Sequence, residues 1–91
     1  MRVRYTPQAF AERERIIEYL RERSPAGARN VAANIGDAVA QLREHPLSGY
    51  QTDNPEIRAL FLVRYPYKIF YRVRDEVEIL HIRHTARRER R

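Results

Sequence analysis

Tyr67-Lys68-Ile69-Phe70-Tyr71-Arg72-Val73-Arg74-Asp75-Glu76-Val77-Glu78-Ile79-Leu80-His81-Ile82-Arg83 carries the clearest hydrophobic pattern of the chain. Its period is two. Tyr67, Ile69, Tyr71 and Val73 fall on one side, and Lys68, Phe70, Arg72 and Arg74 on the other. Such alternation belongs to a half-buried strand. Asp75-Glu76 interrupts it as a turn. Alternation then resumes, with Val77, Ile79, His81 and Arg83 set against Glu78, Leu80 and Ile82. Two alternating runs separated by a short polar turn make an antiparallel hairpin. Just upstream, Ile57–Val63 is rich in β-formers, and Arg64-Tyr65-Pro66 turns the chain into the hairpin. Residues 57–83 therefore read as a three-stranded meander.

Before residue 46 the period changes from 2 to 3.6. Thr6-Pro7 is a helix start: the threonine side chain accepts a free backbone N–H, and proline at the first helical position gives up no needed donor. Phe10, Ile16, Ile17 and Leu20 form an apolar stripe, opposite Glu12, Glu14, Arg15, Glu18, Arg21 and Glu22. Ser24-Pro25-Ala26-Gly27 ends this helix and opens another. Ala28, Val31, Ala32, Ile35, Val39 and Leu42 recur at helical spacing until Pro46 forbids continuation. Small residues along this second helix (Ala33, Gly36, Ala38 and Ala40 among them) suit close approach to a neighbour. Residues 2–5 alternate as a short strand, and residues 46–56 are turn formers, the longest loop. The expected order is β-α-α-β-β-β. The sheet needs a cover, and the helical hairpin is the one available. The expectation is a two-layer α+β domain over residues 1–91. Helices near 7–23 and 27–45 cover a four-stranded, mainly antiparallel sheet, with strand 2–5 at an edge or beside the last strand. Residues 85–91 form a basic tail.

Composition narrows the function. A chain of 91 residues makes one domain, burying roughly 60–65% of its unfolded surface. It has no cysteine, which excludes a disulfide scaffold, an iron–sulfur cluster and a thiol nucleophile. No pair of histidines has metal-ligand spacing with a carboxylate nearby, so neither a metal nor a cofactor is expected. The longest apolar run, Ala59–Val63, is too short to span a membrane. No signal-peptide pattern opens the chain, and a cytoplasmic protein is expected. The net charge of +6 is unevenly placed: residues 1–56 carry eight basic and eight acidic side chains, residues 57–91 ten and four. An electropositive face follows, suited to nucleic acid or to an acidic protein.

Three stretches resemble the RelE/ParE superfamily of bacterial type II toxins. Val3-Arg4-Tyr5-Thr6-Pro7-Gln8-Ala9 enters its helix as these toxins do, and Leu42-Arg43-Glu44-His45-Pro46-Leu47-Ser48-Gly49 is similar to their helix end and Pro–Gly loop. Most specific is Tyr67–Val73 followed by Val77–Arg88, a strand–turn–strand with a His–x–x–Arg ending. The resemblance implies a toxin held inactive in a hetero-oligomeric complex by a cognate antitoxin, whose acidic C-terminal segment wraps it. It also implies one of two activities. ParE-like members poison DNA gyrase and are not enzymes in their own right; RelE-like members cleave mRNA on the ribosome.

Cleaving RNA requires a group that activates the 2′-OH and groups that stabilise the pentavalent phosphate. RelE-like toxins resemble one another in several Lys and Arg with a Tyr near the C-terminus. Here the one Lys is Lys68 and the last Tyr, Tyr71, lies mid-strand. Both departures favour the ParE-like branch. If the chain is a nuclease, the catalytic set is His84 with Arg83 and Arg64, and with Arg72 and Arg87 also able to hold phosphate; otherwise His84 is a strand-end residue bonded to the sheet. His81 reads as a half-buried sheet histidine, and His45 as a helix-end residue suited to the dipole. For a gyrase poison, the target-binding residues are Arg83, His84, Arg87, Arg88, Arg90 and Arg91. The antitoxin-binding residues implied are Phe10, Ile17, Tyr67, Tyr71 and Arg72, although Tyr67 and Tyr71 on one strand face equally suit packing under the helices.

Overall fold

A computed structural model describes residues 1–85 of the chain. The elements are β1 (Val3–Tyr5), α1 (Pro7–Arg21), α2 (Pro25–Glu44), β2 (Tyr50–Gln51), β3 (Arg58–Phe61), β4 (Tyr67–Val73) and β5 (Val77–His84). They form one five-stranded sheet in the order β1-β5-β4-β3-β2. β1 runs parallel to β5, and the other pairs are antiparallel. The two-layer α+β class, the mainly antiparallel sheet and the edge place of β1 beside β5 are as the sequence indicates.

Both helices start where their capping chemistry dictates. The Thr6 side chain accepts the Ala9 N–H at 3.2 Å while donating to the Ile79 carbonyl at 2.9 Å, so one hydroxyl caps α1 and ties it to β5. Ser24 accepts the Gly27 N–H at 3.0 Å, with Pro25 at the first helical position. α2 thus begins two residues before the expected boundary. The core lies between the helices and one face of the sheet. Val31, Ile35 and Leu42 of α2 meet Ile69, Tyr71, Val77, Ile79 and Ile82, each at most 3% exposed. Full burial of each such aliphatic side chain contributes about 1.5–3 kcal/mol.

Four local expectations are corrected. The sheet has five strands, because Tyr50-Gln51 inside the expected loop pairs with Ala59 and Arg58. Two residues among turn formers carry no periodic signal; their pairing is imposed by β3. Phe10 is 51% exposed and does not join the core stripe. Ala9 is fully buried in its place, while the Phe10 ring stands edge-on to Tyr5 at 6.2 Å. Of the small residues on α2, Ala28 and Ala38 are buried, whereas Ala33, Gly36 and Ala40 face solvent. The last correction matters most. Phe70 pairs with His81, but Tyr71 pairs with Ile79, which leaves Leu80 as a β-bulge. The extra residue reverses the alternation beyond it. Ile82 therefore joins Val77 and Ile79 in the core, and His81 and Arg83 turn to the opposite face.

Candidate functional site

The face of the sheet away from the helices carries the candidate site. Side chains paired across neighbouring strands share a face, so each can be placed from the register. Tyr67, Ile69 and Tyr71 face the helices; Lys68, Phe70 and Arg72 therefore point the other way. Their partners His81, Arg83 and Glu78 on β5, and Ala59 and Phe61 on β3, join them, as does Tyr50 opposite Ala59.

At the β1 side this face is an ion-pair lattice. Arg4 donates to Glu76 and to Glu78, each at 2.7 Å, and Arg72 donates to Glu78 at 2.6 Å. The hydrogen bonds from Arg72 and then Arg4 hold the Glu78 carboxyl below its usual range. One carboxylate thereby links β1, β5 and β4, and the charges here are locally matched. At the β2 side the composition changes. Tyr50 stacks on Phe61 with centroids 5.6 Å apart and planes 28° apart. Lys68 Nζ stands 5.3 Å from the Phe61 centroid and 5.1 Å from that of Phe70. Arg83 is the cross-strand partner of Lys68.

Between these halves lies His81. Its Nδ1 is 3.1 Å from Arg83 Nη2 and 3.4 Å from Glu12 Oε2. Nδ1 accepts from Arg83 when it carries no proton and donates to Glu12 when it does, so the two contacts are alternatives set by the tautomer. Glu12 reaches from α1 over the part of β5 that extends past β1, where its Oε1 accepts the Ile82 N–H at 2.8 Å. Burial pushes the Glu12 carboxyl up, but hydrogen bonds from Ile82, Gln8 and His81 outweigh it and hold the group below its usual range.

The residues singled out in the sequence are not all brought together. Arg83 faces the site, whereas His84, one residue on, lies edge-on to the Tyr67 ring at 5.1 Å, on the helix side. Arg64 sits in the β3–β4 connection. It lines a groove of about 490 Å³ against α2, where Asn34 Oδ1 is buried without a hydrogen-bond partner among the described residues. Ile17, Tyr67 and Tyr71 are core residues, 7%, 8% and 0% exposed, and of the five implied antitoxin contacts only Phe10 and Arg72 have substantial accessible surface. Arg87, Arg88, Arg90 and Arg91 lie outside the described residues. Phe61, Tyr50 and His81 were not marked by sequence pattern as members of one face. For His81 the signal is hidden by the bulge; for Tyr50 it is hidden by the two-residue strand. Among the described residues no cluster of three or more His, Asp or Glu is arranged to hold a metal, and no helix is long and apolar enough to cross a membrane.

Comparison with known proteins agrees with this architecture. The family model described as "ParE toxin of type II toxin-antitoxin system, parDE" matches residues 3–89. A protein of Sinorhizobium fredii (strain NBRC 101917 / NGR234) named "Putative toxin Y4kP" is 39% identical over 84 residues, 92% of this chain and 88% of that one. A solved structure titled "Chromosomal ParDE TA system from P. aeruginosa" superposes with a TM-score of 0.80 at 26% identity, covering 92% of this chain and 95% of its counterpart.

Proposed function

The chain belongs to the ParE family of type II toxins, and from that premise we propose that it arrests growth by inhibiting DNA gyrase and is neutralised by a cognate antitoxin in the bacterial cytoplasm. The observation that carries the gyrase reading is the splitting of the nuclease residues. His84 lies on the helix side with Tyr67, and Arg83 lies on the opposite face with Lys68. General acid–base catalysis needs its proton-transfer group within reach of the groups that hold the phosphate. A binding toxin has no such requirement; it needs a charged, shaped surface, which the helix-free face supplies. The likeness to a solved ParDE system supports an antitoxin as the partner. The excess positive charge in residues 57–91 supports an acidic segment as the contacting part.

One observation favours the RelE-like alternative, a ribosome-dependent endoribonuclease. The bulge at Leu80 places the His81 imidazole beside Arg83, on the same open face as Lys68. Expression of the chain alone in bacteria separates the two. The gyrase reading expects filamentation, an SOS response and trapped gyrase–DNA adducts, all relieved by co-expressed antitoxin, with His81→Ala still toxic. Immediate loss of protein synthesis with cleaved mRNA, abolished by His81→Ala, contradicts it.

A further inference from the structure

Half of the helix-free face is matched ion pairs; the other half is aromatic and cationic. Tyr50 and Phe61 are 45% and 52% exposed. They are stacked, and the Lys68 ammonium stands over both Phe61 and Phe70. Phe61, Phe70 and Tyr50 come from three adjacent strands, so their spacing is fixed by the sheet and not by a loop. Lys68 forms no ion pair with the described residues, and its cross-strand neighbour is a second cation, Arg83.

Exposed rings interleaved with cations on a rigid sheet match one class of ligand well. Unpaired bases stack on aromatic faces, and the phosphates between them are held by the cations. Duplex DNA hides its base faces and gains nothing from the rings. An acidic peptide satisfies the cations and leaves Tyr50 and Phe61 unused. We propose that the Tyr50–Phe61–Phe70 surface, with Lys68 and Arg83, is a binding platform for single-stranded DNA. The proposal rests on the gyrase reading for its setting, which makes DNA and not RNA the nucleic acid at hand. The ion-pair lattice of Arg4, Glu76, Glu78 and Arg72 forms the platform's far boundary, because its two arginines are already engaged by carboxylates.

The test measures fluorescence anisotropy of a dye-labelled 15-mer of thymidine with the full 91-residue chain, without gyrase. Binding is expected, and annealing the 15-mer to its complement weakens it. Phe61→Ala weakens binding about tenfold, the loss of one stacked base. Lys68→Gln lowers the slope of log affinity against log salt by about 0.7, the value for one phosphate contact on a single strand. Arg15→Ala, an equal loss of charge on the solvent side of α1, changes neither. Circular dichroism on each variant confirms the fold, and Lys68→Gln carries the test if Phe61→Ala is unstable. Equal affinity for the duplex, tighter binding of a uridine 15-mer or of a poly-glutamate peptide, or unchanged affinity in Phe61→Ala overturns the proposal. A chain that binds the 15-mer through Phe61 but leaves gyrase active upholds the platform and contradicts the gyrase reading; a chain that inhibits gyrase without binding the 15-mer does the reverse.

Discussion

The Gly49 N–H donates a 2.8 Å hydrogen bond to the Tyr71 hydroxyl, joining the loop after α2 to the centre of β4. Tyr71 is fully buried, and its phenol titrates above the usual value because burial outweighs the bond from Gly49 and the nearby Arg58 charge. A Cβ on residue 49 would stand 2.6 Å from the Ala59 carbonyl oxygen and 2.7 Å from the Tyr71 hydroxyl. Glycine is there because the backbone must approach this closely. Tyr71→Phe should leave the Gly49 N–H without a partner and cost roughly 1–3 kcal/mol. Gly49→Ala should cost a similar amount through overpacking, roughly 1–3 kcal/mol. Urea unfolding of both variants checks this, and a loss near zero for Tyr71→Phe contradicts it.

Gly36 is the opposite case. It lies mid-helix in α2, and a Cβ there meets nothing within 4 Å. Gly36→Ala should stabilise the chain by about 0.5–1 kcal/mol, since alanine gives up less backbone freedom on folding. A raised urea midpoint, with toxicity unchanged, is the expected result.

Acid should weaken the fold through Glu12. Its carboxyl is held below the usual range in the folded chain, so it contributes stability above the unfolded value, near pH 4.3. That contribution disappears as the pH falls through the lower, folded value. Glu12→Gln keeps an oxygen for the Ile82 N–H but removes the titration. Unfolding midpoints measured from pH 3 to 7 should show a shallower acid limb in the variant. Glu78, lowered by Arg72 and Arg4, supplies part of the limb that remains.

How far the fold was legible in the sequence depends on where the deciding physics sits. Alternation along Tyr67–Val73 and the Thr6-Pro7 and Ser24-Pro25 starts are local signals, and the elements formed there. The bulge at Leu80 is not local. Ile82 and Ile79 both enter the core, so one residue between them must be extruded from the register, and no pattern in Val77–Arg83 marks which one. The same bulge decides the site. It moves His81 and Arg83 off the side of Val77 and Ile79, where strict alternation puts them, onto the open face. Arg83 and His84, consecutive in a strand, point to opposite faces in any register. Tyr50 was illegible for another reason: its strand exists only because β3 offers an edge. Tyr67 and Tyr71 could be read as core or contact from their spacing alone; tertiary packing places both inside.

If the antitoxin binds through charge, its complex should weaken with salt. Interactions between exposed charges are screened over about 8 Å at physiological ionic strength. Dissociation of the toxin–antitoxin complex, followed by surface plasmon resonance, should accelerate between low and high salt, and Arg72→Gln should reduce that dependence. Salt-independent dissociation would show that the uneven charge of the chain plays no part in the complex.

Inhibition of gyrase is measured in a supercoiling assay with purified DNA gyrase, relaxed plasmid and the purified chain. A gyrase poison should abolish supercoiling and accumulate cleaved, gyrase-bound plasmid, both prevented by adding the antitoxin first. Undiminished supercoiling, from a chain that cuts mRNA on ribosomes in a parallel reaction, would contradict it.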